Sequence, residues 1–114
     1  MNLITENMIT YSWNITSVDV MTYRGYDNIV RKVYYEFKGE YLEHNHTIRG
    51  VCILKLNSLD TVDPISFENL NQEIVINWLK NSLPVGKERG YMVECANVIT
   101  EMVYPLYVNK IIEE

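Results

Sequence analysis

The residues best suited to metal chemistry lie in one short polar stretch. Glu40, Glu43, His44 and His46 supply two imidazoles and two carboxylates. Alternate positions in a strand would place both imidazoles on one face, where the carboxylates could complete a zinc-type ligand set. No third histidine and no Cys-x-x-Cys pair supports such a site. Because the turn-forming composition of residues 38–45 indicates an exposed connector, we expect no metal site here.

Two cysteines, Cys52 and Cys95, could support nucleophilic chemistry with His44 or His46. A neighbouring imidazole can accept the proton of a thiol and so activate it. Both cysteines lie in apolar periodic segments, however, where the charged thiolate is disfavoured. Without Cys-x-x-Cys spacing or an export signal, the sequence predicts two buried, free and inert thiols.

The remaining candidates for catalysis or cofactor binding are weaker. Asp60 and Asp63 could form an acid–base pair, but they lie in a connector where aspartate commonly makes turns. Residues 86–90 contain two glycines without the spacing or the Ser/Thr of a phosphate-binding loop. We predict that Trp13 and Trp78 are core anchors rather than a ligand-stacking pair. The sequence therefore indicates a protein that is not an enzyme and holds no cofactor.

Composition limits the classes of protein to consider. A chain of 114 residues that is 47% apolar and 22% charged is typical of one globular domain, which we place at residues 1–114. A net charge of −5 argues against general binding to nucleic-acid backbones. No apolar run is long enough to cross a membrane, and residues 1–10 do not resemble a signal peptide. We therefore expect a location in a reducing cytoplasm.

An antiparallel hairpin over residues 28–57 is the main predicted element. Period-two alternation over 29–37 and 48–56 is typical of two strands that share one buried face. The predicted inward residues are Ile29, Val33, Tyr35, Phe37, Ile48, Cys52, Leu54 and Leu56. Residues 38–45 form the predicted connector between the two strands. We expect this face to pack against a helix that carries Trp78.

An additional strand precedes the hairpin. Tyr11, Trp13 and Ile15 alternate, and Val18 and Val20 continue one step out of phase. A β-bulge near Thr16–Ser17 would keep both halves facing inward. Residues 23–28 form the predicted turn to the hairpin, and residues 1–10 are expected to be an arm or an edge segment.

Two helices are predicted in the second half of the chain. The first begins after the N-cap Asn71 and ends before Pro84 and Gly86. Phe67 and Leu70 are expected to pack at its entry. The second helix covers about 88–103 with two adjacent apolar stripes, which are Tyr91, Cys95, Val98, Met102 and Met92, Ala96, Ile99, Val103. Residues 106–112 fit either a short strand or a further helical turn.

This order of elements predicts an α+β fold. An N-terminal antiparallel meander of three to four strands is packed by two C-terminal helices.

Parts of the sequence resemble a group of small uncharacterised bacteriophage proteins, found notably in tailed phages of marine bacteria. The resemblance rests on YSWNI at 11–15, on the strand at 30–37, and on FENLNQEIV at 67–75 leading to Trp78. That group has an opening Trp-x-Ile strand and a Phe-x-x-Leu-Thr-x-Glu-x-Val segment before a Trp-containing amphipathic helix. This chain has Asn71 where Thr is usual, and an apolar C-terminus instead of a Pro-rich tail. The resemblance implies phage origin and a virion structural or accessory role.

Nine tyrosines suit a half-buried sheet and a protein interface alike, because tyrosine combines a large apolar body with a polar tip. The tyrosines therefore either simply cover the sheet and its strand ends or mark a protein–protein contact. We predict a contact at Tyr23, Arg24, Tyr26 and Tyr41, either with virion proteins or between copies of the chain in a homo-oligomer. Such a protein would occupy the host cytoplasm during infection and then the virion. The alternative is a small acidic inhibitor of a host enzyme or defence protein, which would dock on a basic surface.

Overall fold

A computed structural model of the chain describes residues 4–23, 25–54, 70–105 and 110–112. Within these residues the strands are β1 (Thr10–Tyr23), β2 (Tyr26–Tyr41) and β3 (His44–Ile53), followed by the helices α1 (Gln72–Ser82) and α2 (Lys87–Val103). The strands form one antiparallel sheet in the order β1-β2-β3. The predicted α+β fold, an N-terminal meander followed by two C-terminal helices, is confirmed.

The two strand pairs differ in regularity. The β2–β3 register runs without interruption from Lys32↔Ile53 to Tyr41↔His44. The β1–β2 register shifts between Ile15 and Ser17, and this shift confirms the bulge predicted from the change of phase. Two further shifts lie between Asp19 and Val20 and between Met21 and Tyr23. The distal half of β1 is therefore irregular, and Val20, which was predicted to face inward, is 41% exposed.

The connectors predicted at residues 23–28 and 38–45 are longer than the observed turns. β1 continues to Tyr23 and β2 begins at Tyr26, with Gly25 at φ +83° supplying the left-handed backbone that a tight turn needs. The second turn consists of Leu42 and Glu43, with Leu42 at φ +54°. Strand residues with polar side chains on the solvent face of the sheet had been assigned to connectors.

The helices begin and end close to their predicted positions. The side-chain oxygen of Asn71 accepts a hydrogen bond from the Ile74 N–H at 2.9 Å, as expected of an N-cap. α2 starts directly after Gly86, which has φ +85°. Its buried residues are Cys95, Ala96 and Ile99, whereas Met102 of the predicted stripe is exposed. Phe67 and residues 55–57 and 106–109, which carried other predictions, lie outside the described residues.

The core has two parts, and helices cover one face of the sheet. The larger part lies between the sheet and α1 and consists of Ile15, Val30, Val33, Tyr35, Cys52, Leu54, Val75 and Leu79. The smaller part lies against α2 and consists of Ile4, Ile9, Ala96 and Ile99. The predicted packing of the hairpin face against α1 is confirmed for the described residues. Trp78 packs on this core but is only partly buried.

Residues 4–9 pack against α2, whereas an arm or an edge segment had been predicted for residues 1–10. A 3-10 helix, Glu6–Met8, lies between the buried residues Ile4 and Ile9. The Thr100 hydroxyl accepts a hydrogen bond from the Ile4 N–H at 3.2 Å and donates one to the Ile4 carbonyl at 3.1 Å. Among residues 4–9, Ile4 and Ile9 are buried and Met8 is exposed, which explains the weak apolar pattern of these residues. No helix among the described residues is long and apolar enough to span a bilayer.

Candidate protein-binding surface

Of the four residues considered for a metal site, Glu40, His44 and His46 lie on strands and Glu43 lies in the turn between β2 and β3. His44 and His46 lie on β3, and Nε2 of His46 is 2.8 Å from a carboxylate oxygen of Glu94 on α2. Glu40 forms an ion pair with Lys38 at 3.4 Å. Among the residues that the structure describes, no group of three or more His, Cys, Asp or Glu side chains is placed to hold a metal ion. The His46–Glu94 pair ties α2 to β3.

Both thiols are buried in surroundings that disfavour a nucleophilic thiolate. Cys52 and Cys95 are free, as predicted. The Cys95 thiol donates to the backbone carbonyl of His46 at 3.9 Å. Burial, and secondly the Glu94 carboxylate, raises the pKa of Cys95, and burial alone raises the pKa of Cys52. Both effects favour the neutral thiol over the nucleophilic thiolate.

An aromatic cluster joins the sheet to α2. Trp13 lies 4.8 Å from Phe37 and 6.2 Å from Tyr91 between ring centroids. The indole N–H of Trp13 donates to Glu88 at 2.9 Å, and the hydroxyls of Tyr35 and Tyr91 are 2.6 Å apart. Each of these polar groups has a partner inside the cluster, which indicates a structural role.

A cavity of about 480 Å³ lies beside this cluster, at the turn between the helices. Two of its charged lining groups are already engaged, because Glu88 accepts from Trp13 and Arg89 pairs with Glu6 at 2.9 Å. Lys80 and Asn81 complete its polar lining, and the rest is mainly apolar, with Leu83, Pro84 and Val85.

The face of the sheet opposite the helices carries a ladder of polar side chains. The Tyr34 hydroxyl donates to the Asp19 carboxylate at 2.7 Å across β1 and β2. Arg49 of β3 pairs with Glu36 of β2 through Nε at 2.9 Å. These bonds cross strands and link neighbouring side chains on this face, with both signs of charge interspersed.

Two apolar side chains interrupt this polar face on its edge strand. Val51 is 53% exposed and Ile53 is 54% exposed, opposite Tyr34 and Lys32 in the β2–β3 register. Together Lys32, Tyr34, Arg49, Val51 and Ile53 form what we call the β3 surface. Tyrosine, arginine and exposed aliphatic side chains side by side are typical of protein–protein contacts.

The two edges of the sheet differ in how far other groups of the chain cover their backbone. On β1, the Gln72 side chain accepts from the Ile15 N–H at 2.9 Å and donates to the Ile15 carbonyl at 2.8 Å, so an amide group occupies part of that edge. The outer edge of β3 has no strand partner among the described residues. An unpaired regular edge is a template for adding another strand.

Comparison with family models gives one decisive observation. Residues 8–106 match the model of a family described as a domain of unknown function, DUF7936. The chain belongs to the DUF7936 family. Comparison with curated proteins and with solved structures gave no match.

Of the contact residues predicted for this DUF7936 chain, Tyr23 and Tyr26 are brought together, and Tyr41 lies far from them. Tyr23 and Tyr26 pair through their backbones at the tip of the β1–β2 hairpin, whereas Arg24 and the two tyrosine side chains are outside the described part. Tyr41 lies at the other end of β2, about 50 Å away at roughly 3.3 Å per strand residue. There it packs, partly buried, against the core part that contains Ile4 and Ile9. Tyr41 and the hairpin tip therefore cannot form one small contact.

Val51 and Ile53 are the surface residues that the sequence reasoning missed. They lie on the same outward positions of β3 as Arg49, and that alternation was visible in the sequence. Apolar residues on an outward face do not by themselves indicate a binding site, because folded proteins expose many of them. The absence of a described neighbour along the β3 edge had to come from the structure.

Proposed function

We propose that this chain is a phage protein without enzymatic activity, which serves as a virion structural or accessory module by binding other proteins. The observation that carries the proposal is the β3 surface, where Val51 and Ile53 are exposed beside a strand edge that pairs with no other described strand. Burying both side chains against a partner would contribute roughly 1 kcal/mol for each, because about half of each residue is already covered. The edge would add main-chain hydrogen bonds to that apolar contact.

Phage origin rests on the resemblance of the opening strand and of α1 to small phage proteins. The Trp13-x-Ile15 strand contributes to the core, and Asn71 caps α1 in the place where Thr is usual in that group. Asn and Thr both accept a hydrogen bond from the helix backbone, so the departure preserves the cap. On this proposal the chain is made in the host cytoplasm and then enters the virion.

The second candidate is an acidic inhibitor that occupies a basic surface of a host protein. Its support is the net charge of −5. The charges on the open face do not favour it, because Lys32 and Arg49 stand among the acidic side chains and Arg49 pairs with Glu36. A surface of mixed charge gives less attraction to a basic partner than a segregated acidic one. The β3 surface therefore favours the structural module.

The hairpin tip is a second proposed contact on the same module. Replacing Tyr23, Arg24 and Tyr26 together by Ala should weaken association while leaving folding intact, because Tyr23 is the last residue of β1 and Tyr26 the first of β2. Tyr41→Ala is a separate test. Because Tyr41 packs on the smaller core part, this substitution should lower the stability of the fold. Unchanged association in the triple variant would remove the tip from the proposal.

Mass spectrometry of purified phage particles tests the function. A structural or accessory protein should be present at stoichiometric levels, whereas an inhibitor should be found in infected cells and be missing from mature particles.

The same particles should be prepared from phage that carry Val51→Lys together with Ile53→Lys. The matched control is Val20→Lys, which places lysine at an exposed valine of the other edge strand. Loss of incorporation in the β3 variant alone supports the β3 surface as the binding site. Equal incorporation of both variants would refute it.

A further inference from the structure

The hydrogen-bonding direction of β3 follows from one bond at its end. The Leu54 N–H donates to the Arg31 carbonyl of β2 at 2.8 Å. In an antiparallel ladder the N–H and C=O of one residue point to the same side, and this side alternates along the strand. Since the β2–β3 register is uninterrupted, residues 49, 51 and 53 direct their backbone groups away from β2.

These three residues also carry the exposed side chains of the β3 surface. Arg49 is exposed on the open face together with Val51 and Ile53. A strand added at this edge would therefore gain backbone hydrogen bonds and side-chain contacts at the same positions.

The β1 edge is far less suited to accept a strand. Its register with β2 shifts three times between Ile15 and Tyr23, and each shift breaks the even spacing of backbone groups. The Gln72 amide already uses both backbone groups of Ile15. Bulges and side-chain covers are devices that keep edges from pairing. Within the described strands, β3 has a register free of such shifts.

We infer that the partner at this edge is a second copy of the same chain, joined by antiparallel pairing of the two β3 strands about a twofold axis at Val51. The inference rests on the proposed binding role of the β3 surface and names its partner. The pairing would place Val51 opposite Val51 of the second copy, and Arg49 opposite Ile53 of the second copy. The two three-stranded sheets would become one continuous sheet.

Charge and apolar contact select this register. An axis at Arg49 would set two arginines directly opposite each other, and like charges in that position are destabilising. With the axis at Val51, the two Val51 side chains meet and each Ile53 lies diagonally beside them, so the four apolar groups form one patch. Each Arg49 keeps its ion pair with Glu36 of its own copy. The edge is thus self-complementary, as a twofold interface requires.

Sedimentation velocity of the purified chain over a wide concentration range tests the inference. The wild-type chain should be a dimer at the higher concentrations. Val51→Lys should raise the dimer dissociation constant by about tenfold or more, since it sets two lysines opposite each other and removes the central apolar contact. Val20→Lys, on the other edge strand, should leave the constant unchanged. A wild-type chain that stays monomeric, or equal effects of both variants, would overturn the inference.

Disulfide trapping tests the register. Two Val51→Cys chains would place their Cα atoms about 5.5 Å apart, which a disulfide can span. Two Arg49→Cys chains would be offset by about 13 Å along the strands, too far for a bridge. Mild oxidation should therefore link Val51→Cys into a dimer, and leave Arg49→Cys and the wild-type chain unlinked. Linkage of Arg49→Cys in preference to Val51→Cys would overturn the register.

Failure of the dimer is distinguishable from failure of the proposed function. If the chain is monomeric in solution but Val51→Lys with Ile53→Lys prevents virion incorporation, the surface binds a different protein and the dimer inference alone is wrong. If the chain dimerises through β3 but is missing from particles, the dimer stands and the virion role is wrong.

Discussion

Cys95 of α2 lies directly over Gly39 of β2. A Cβ atom placed on Gly39 would come within 2.9 Å of the Cys95 Cβ, 3.0 Å of its sulfur and 3.1 Å of the Ile9 side chain. Real Cβ atoms do not approach other carbon atoms so closely. The missing side chain at Gly39 is therefore what lets α2 and the N-terminal segment pack on the sheet at this point.

Gly39→Ala should lower the free energy of unfolding by about 1–3 kcal/mol, because the added methyl group must displace α2 or the N-terminal segment. The change in the free energy of unfolding is measured by urea titration. Gly90→Ala is a matched control, since a Cβ at Gly90 meets no atom within 4 Å and alanine favours the helix that contains it. A Gly39→Ala chain as stable as the wild type would show that α2 is not packed this closely.

Burial of the two cysteines predicts slow reaction with thiol reagents. Cys95 is 0% and Cys52 is 8% exposed, and burial raises the pKa of both thiols. In native buffer, maleimide labelling should be at least about a hundredfold slower than in denaturant, because each thiol must wait for local opening. Peptide mapping by mass spectrometry separates the two sites. Rapid labelling of both in native buffer would contradict the packing.

Local sequence signals predicted much of the fold. The cap at Asn71 and the stop before Pro84 depend on neighbouring residues, so they were visible without tertiary information. The bulge after Ile15 was predictable because the apolar phase of one strand changes there. The turns were misplaced because polar residues on a solvent face of a strand have the same composition as a connector. Only pairing with a neighbouring strand distinguishes them.

The candidate surface was less predictable for a physical reason. The β1 edge is partly covered by Gln72, a residue 57 positions away from the Ile15 backbone to which it is bonded. The docking of Ile4 beside Thr100 is similarly remote in sequence. Contacts between distant segments leave no periodic signature, so the exposed faces of a sheet have to be located in the structure.

Within α1, Leu79 should contribute more to stability than the larger Trp78. Leu79 is fully buried between the sheet and the helix, whereas Trp78 packs on the core with part of its ring in solvent. Leu79→Ala should cost about 2–5 kcal/mol, and Trp78→Ala should cost less than the roughly 3–5 kcal/mol of a fully buried aromatic residue. Urea titrations of both variants decide the order. A larger loss for Trp78→Ala would show that its ring is the main anchor of α1.

The hydrogen-bonded hydroxyls of Tyr35 and Tyr91 make the free energy of unfolding depend on pH in the alkaline range. Burial, and secondly the hydrogen bond with Tyr91, raises the pKa of Tyr35 well above its ordinary value of 10.0. In the unfolded chain Tyr35 loses its proton near pH 10, while in the folded chain it keeps the proton to higher pH. The contribution of this group is thus complete below pH 10 and is lost progressively as the pH rises above it.

Tyr35→Phe isolates this contribution. At neutral pH the free energy of unfolding of the variant should be lower by about 0.5–1.5 kcal/mol, the usual contribution of one hydrogen bond. The phenylalanine ring fills the same space, so no packing is lost. Above pH 10 the difference in unfolding free energy between wild type and variant should shrink, since only the wild type carries the penalty of keeping Tyr35 protonated. Tyr104→Phe, at an exposed position, controls for the general effect of removing a phenol hydroxyl.

The measurement is a series of urea titrations between pH 7 and pH 11. A difference that stays constant or grows above pH 10 would mean that Tyr35 ionises as readily in the folded chain as in the unfolded one, and that its hydroxyl is not buried against Tyr91.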